Sequence, residues 1–146
     1  MISNEVEILL IEDNPNDAEL TIRALKKNNI ANNILVIDDG EKALEYIFAE
    51  GEYSQRNINK SPNVILLDLK LPKVSGLEIL KKIKSDERTK IIPVVVLTSS
   101  REESDLIASY KLGVNSFIVK PVDFNSFISE ISKLGYYWLI LNKRPS

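Results

Sequence analysis

Four apolar runs in this chain end in polar groups that can do chemistry. Glu12 and Asp13 follow residues 6–11, Asp68 follows 64–67, Thr98 follows 94–97, and Lys120-Pro121 follows 117–119. In a parallel sheet such run-ends open on one edge, where ligand crevices form. Three carboxylates would then gather beside a hydroxyl and an ammonium. Like charges so placed repel unless a cation sits among them, and a hard divalent ion such as Mg2+ suits an all-oxygen donor set. The pattern points to acid, metal and phosphate chemistry.

The elements that must carry these groups follow from periodicity. Apolar runs at 6–11, 34–37, 64–67, 94–97 and 117–119 alternate with segments of helical period, the signature of a parallel sheet covered by helices on both faces. Several runs lack polar alternation, as expected of strands buried on both sides. Ala18, Thr21, Ile22 and Leu25 form the stripe of a helix that starts at Asn14-Pro15, with Asn as cap and Pro at the first position. A second helix after Asp39-Gly40 should bury Ala43, Leu44, Ile47 and Phe48. Capping-box spacing at Ser75–Glu78 and Ser100–Glu103 announces two more. The first should bury Leu77, Leu80 and Ile83; the second should end at Gly113. A last helix after Asp123 carries Phe124, Phe127, Ile128, Ile131 and Leu134. Residues 51–61 are polar and aperiodic and read as a long surface loop.

Composition narrows the possibilities. A length of 146 residues suits one domain, 1–146, with a core over about 6–134 and an apolar extension over 135–146. The net charge of -2 gives no basic footprint, so nucleic-acid binding is not expected. No run is long enough to span a bilayer and the start lacks a signal-peptide pattern, so membrane insertion is not expected and the cytoplasm is the expected location. The absence of cysteine rules out disulfides, and the absence of histidine rules out His-based triads and metal sites. Any phosphohistidine must be brought by another protein.

The motifs Ile8-Leu9-Leu10-Ile11-Glu12-Asp13-Asn14, Val64-Ile65-Leu66-Leu67-Asp68-Leu69, Leu71-Pro72, Ser75-Gly76, Val94 to Ser99 and Phe117-Ile118-Val119-Lys120-Pro121 closely resemble the receiver domain of two-component response regulators. The resemblance implies a flavodoxin-like, doubly wound α/β fold with five parallel strands in the order 2-1-3-4-5 and five helices. It implies that Asp68 is the phosphoacceptor, and that Asp13, Asp68 and the backbone carbonyl of Lys70 ligate Mg2+, with Glu12 acting through a metal-bound water. Lys120 and Thr98 would bind phosphoryl oxygens, Thr98 and Phe117 would form the switch, and Lys120-Pro121 would be a cis peptide. The chain would be a signalling protein and not an enzyme. Glu12 stands where many receivers have Asp, and Phe117 lacks the hydroxyl of a Tyr switch. Taken singly these residues have plainer readings: a capping acidic turn for Glu12-Asp13, a solvated lysine for Lys120, a loop start for Thr98, core for Phe117.

The ending Gly135 to Leu141 is dense in aromatic and apolar residues, which would either lie back on the domain's own core as an extra turn or strand or form a dimer or partner surface, since Trp and Tyr favour interfaces. With the long 51–61 loop it resembles stand-alone receivers that serve phytochrome-type sensor histidine kinases. Arg101, Leu106, Tyr110, Tyr137 and Trp138 are the interface candidates, with a homodimer expected. A histidine phosphotransfer protein is a second partner class, in which case the chain relays or drains phosphate. An Asp-nucleophile phosphohydrolase and an unphosphorylated dimerising scaffold are the competing classes. Lys70 stands where such a hydrolase usually keeps its general-acid Asp, which weighs against the first of these.

Overall fold

The computed structural model describes residues 6–26, 33–99 and 116–133. Strands β1 (Ile8–Ile11), β2 (Ile34–Ile37), β3 (Val64–Asp68), β4 (Val94–Thr98) and β5 (Phe117–Val119) form one sheet in the order β2-β1-β3-β4-β5. Every pairing is parallel. Helices α1 (Pro15–Lys26), α2 (Gly40–Phe48), α3 (Gly76–Ser85) and α4 (Phe124–Lys133) connect and cover the strands. The doubly wound fold and strand order expected from the sequence are those observed. The helix expected from Ser100 to Gly113 lies outside the described residues, as do Arg101, Leu106, Tyr110, Leu134, Tyr137, Trp138 and the 135–146 extension.

Successive strand side chains point to opposite faces, and the core divides accordingly. Leu9, Ile11, Ile65, Leu67, Val94 and Val96 pack with α2 and α3, whereas Ile8, Leu10, Val64, Leu66, Val95 and Leu97 pack with α1 and α4. On the first face α2 buries Ala43, Tyr46 and Ile47, while Leu44 and Phe48 are half-buried against the same core. In α3 the buried residues are Ile79, Leu80 and Ile83, with Leu77 at the margin.

The caps read from the sequence set the helix starts. Asn14 Oδ1 accepts from the N–H groups of Asn16 and Asp17, with Pro15 at the first helical position. Asp39 caps α2 through Glu41 and Lys42, and Ser75 caps α3 through Glu78. The 51–61 stretch differs from the plain loop expected. It contains a 3-10 turn, Gly51–Tyr53, and Arg56 stacks over the Tyr46 ring at 4.0 Å while Tyr53 meets that ring edge-on. Arg56 also donates to the carbonyls of Tyr46 and Lys60, so a polar segment is fastened to α2 by one guanidinium.

Gly76 sets how closely α3 approaches the end of β3. Its N–H donates to the Leu69 carbonyl at 3.0 Å, and a Cβ there would lie 2.3 Å from the Asp68 carbonyl oxygen and 2.7 Å from Leu69 Cα. Those atoms are backbone and cannot rotate away. Gly76→Ala is therefore expected to destabilise the fold by about 1–3 kcal/mol, as overpacking does. Urea unfolding measures this, and an unchanged midpoint would show that α3 is not seated on β3 in this way.

Candidate functional site

Register and side-chain alternation bring the reactive groups together. Ile11 is level with Leu67, so Glu12 and Asp68 are level one residue further on. Glu12 and Asp68 continue the alternate positions of Leu10 and Leu66, and Lys120 continues that of Ile118, all on the α1 and α4 face. The three therefore converge at the carboxyl edge. Lys120 Nζ donates to Glu12 Oε1 at 3.1 Å, to Glu12 Oε2 at 3.4 Å, to Asp68 Oδ2 at 3.2 Å and to Asp17 Oδ2 at 3.0 Å. Glu12 is 1% exposed and Asp68 3% exposed, so two carboxylates are held almost out of water by one ammonium.

Backbone groups fix the remaining geometry. The Asn14 N–H donates to Glu12 Oε2 at 3.2 Å, and the Lys70 N–H donates to Asp68 Oδ1 at 3.2 Å. The Lys120 N–H donates to the Thr98 carbonyl at 2.8 Å, which ties the ends of β4 and β5. The Lys120-Pro121 peptide is cis. Thr98 is buried at the end of β4. Phe117 is level with Val96, two residues before Thr98, so ring and hydroxyl share the α2 and α3 face. The cleft has a volume of about 210 Å3 and is lined by Glu12, Asp13, Asp17, Asp68, Thr98 and Lys120, with Lys70 at its rim. Asp17 is the lining acid that the sequence reading left without a role. Its signal was faint: an acid four residues past Asp13 on a helix reads first as a favourable first-turn charge.

The electrostatics follow from this crowding. Burial, then the neighbouring Asp68 carboxylate, pushes Glu12 up from the usual 4.5 to about 7, with Lys120 opposing. Burial alone would depress Lys120, but hydrogen bonds to Asp17 and Glu12 and the charge of Asp68 hold its ammonium well above the ordinary lysine range. Glu12, Asp13 and Asp68 bring ligand oxygens within 4.8 Å of one another. Four carboxylates line the cleft, and Glu12, Asp13 and Asp68 among them form a cluster of hard oxygen donors that fits a divalent cation of the Mg2+ type.

Comparison with known proteins is decisive. Residues 8–132 match the response regulator receiver domain. This chain belongs to that family. The bacteriophytochrome response regulator AtBRR is 52% identical, with 95% of this chain and 99% of AtBRR covered and a TM-score of 0.84. The response regulator Rcp1 of Synechocystis sp. is 39% identical over 90% of this chain and 88% of its own length. Its structure in a Mn2+-bound form superposes with a TM-score of 0.73 at 38% identity, covering 95% and 98% of the two chains. The phosphorylated cyanobacterial phytochrome response regulator RcpA is 38% identical, with coverage of 97% and 99% and a TM-score of 0.75. This receiver thus resembles phytochrome-associated stand-alone response regulators, and among its described residues no helix is long and apolar enough to cross a membrane.

Glu12 sets a pH dependence in the metal-free protein. A folded-state pKa raised above the unfolded one gives stability that is complete below about pH 4.5 and is lost as pH rises through about 7. In chelator, the unfolding free energy of the native receiver should fall across that window more steeply than that of Glu12→Gln. Parallel curves from urea titrations at successive pH values would remove Glu12 as the source.

Proposed function

We propose that this receiver accepts a phosphoryl group from a sensor histidine kinase onto Asp68 and thereby switches its interaction surface. The observation that carries the reading is the Asp68 carboxylate itself, buried at the sheet edge yet open to the cleft, with Lys120 on one oxygen and the Lys70 N–H on the other. Asp68 attacks the phosphorus of the donor's phosphohistidine. The Asp68 O–P bond forms as the P–N bond breaks, and the nitrogen's electron pair returns to the imidazole, leaving an aspartyl phosphate. Such a transfer asks alignment and charge stabilisation of the protein more than covalent help.

Each residue then has a part. Lys120 supplies positive charge to a phosphoryl oxygen, and the Thr98 hydroxyl donates to another. Glu12, Asp13, Asp68 and the Lys70 carbonyl would hold Mg2+, Glu12 through water. Bound there, the ion neutralises phosphoryl charge. Thr98 reports the phosphate to Phe117, whose ring lies on the same face of the neighbouring strand. Packing of that ring would alter the surface next to β5.

Likeness to AtBRR and RcpA supports a phytochrome-type kinase as donor, and we infer a cytoplasmic setting and an output made by binding. A homodimer using Tyr137 and Trp138 is the form of output we favour, with transfer onward to a histidine phosphotransfer protein as the second. Mixing the protein with Mg2+ and acetyl phosphate should produce a labile phosphoryl adduct by intact mass. Asp68→Asn should abolish it, and Lys120→Met should slow it by about a hundredfold, the scale of losing one charge-stabilising donor. An adduct that survives Asp68→Asn would move the acceptor elsewhere.

A further inference from the structure

Asp17 stands apart from the other acids of the cleft. Its contact with Lys120, at 3.0 Å, is the shortest of the four that the ammonium makes. It does not belong to the set of carboxylates whose oxygens gather within 4.8 Å, which is Glu12, Asp13 and Asp68. Its side chain also has no part in capping α1. Asn14 Oδ1 is the cap, accepting from the Asn16 and Asp17 N–H groups, and the Thr21 hydroxyl bonds the Asp17 backbone carbonyl. Among the described residues the Asp17 carboxylate has one hydrogen-bond partner, and that partner is Lys120.

An ammonium has three protons, and here they meet carboxylates from three different places: the end of β1, the first turn of α1 and the end of β3. Two of those carboxylates, Glu12 and Asp68, must serve a divalent cation as well as Lys120. Sharing weakens their hold on the ammonium, and a nearby dication repels it. The lysine stem is long and flexible, so an ammonium with weakened partners would leave for water. Asp17 is the one partner that the cation does not contest.

We propose that Asp17 is the positioning residue of Lys120, holding its ammonium at the phosphoryl site while Glu12 and Asp68 are engaged by the metal. The inference rests on Asp68 as acceptor and on Mg2+ in the acidic cluster. The charge alone could instead serve the α1 dipole, and a relocated charge tells the two apart. Asn16 is exposed one residue earlier, so Asn16→Asp combined with Asp17→Asn keeps an acid in the first turn and removes it from Lys120.

The native protein, Asp17→Asn, Asp17→Glu and the double variant should be compared at saturating Mg2+ and acetyl phosphate. Asp17→Asn and the double variant should both lose about tenfold or more in initial phosphorylation rate, as a misplaced catalytic group does. Mg2+ affinity by calorimetry should change little, and Asp17→Glu should recover part of the rate. The readout independent of phosphorylation is the 15N signal of the Lys120 ammonium, assigned by its loss in Lys120→Arg. With Mg2+ present it should be protected from exchange in the native protein and broadened away in Asp17→Asn. A native rate in Asp17→Asn, a faster one, or full recovery in the double variant would overturn the proposal. A native protein that forms no adduct would instead sink the acceptor reading, while the ammonium signal would still report whether Asp17 holds Lys120.

Discussion

One ammonium holds the working edge of this molecule together. Lys120 closes contacts with Glu12, Asp17 and Asp68 across sequence separations of 108, 103 and 52 residues. Glu12 and Asp68 are nearly inaccessible to water, and an uncompensated buried carboxylate is costly enough that it would rather take up a proton. The value of about 7 for Glu12 records how incomplete the compensation is. One positive charge is shared among more negative ones, and the remaining deficit is what makes the cleft a cation site.

That deficit is built in by the sheet. The strands have to be parallel for their ends to open on one edge, and their register has to be right to a single residue. A slip of one position would turn Glu12 or Asp68 from the α1 side to the α3 side and strand it in the opposite core layer. The apolar alternation that prevents such a slip is the same alternation that fills the two cores. Stability and site geometry are therefore not separable here: the layer that packs Leu10 and Leu66 against α1 also aims the next carboxylates at Lys120. Gly76 adds a similar constraint from the other face, since only a residue without Cβ lets α3 approach the backbone of Asp68.

Function in this family needs a site that is charged, dry and unfinished. Acceptance of a phosphoryl group demands a carboxylate that can act as nucleophile, which a tightly neutralised one could not. Asp68 takes the Lys120 ammonium on one oxygen and the Lys70 N–H on the other, contacts that orient it toward the cleft. Thr98 and Phe117 lie on the other face, outside the acid cluster. The division of labour between the two faces follows from the two-residue period of a strand.

Much of this was legible beforehand because it depends on near neighbours. Runs of apolar residues, Asn14 and Ser75 as caps, and Asp68 and Thr98 at strand ends are local patterns, and helices and strands respond to local patterns. The 51–61 segment was not legible, because Arg56 is fastened to α2 by stacking on Tyr46, a contact that no period announces. Tyr46 is buried in α2 while Leu44 and Phe48 are half-buried. The polar tip of Tyr46 conceals from the sequence how apolar its body is. Asp17 went unread for a related reason: an acid in a first helical turn has a sufficient local explanation. The sequence by itself determined the element types, the parallel class of fold and the residues able to do chemistry. Only the tertiary structure decided which carboxylates share Lys120, that Asp17 is among them, and that Glu12 is shifted while facing Asp68. Charge interactions of that kind depend on distances between strands and on the exclusion of water, and neither exists until the chain has closed.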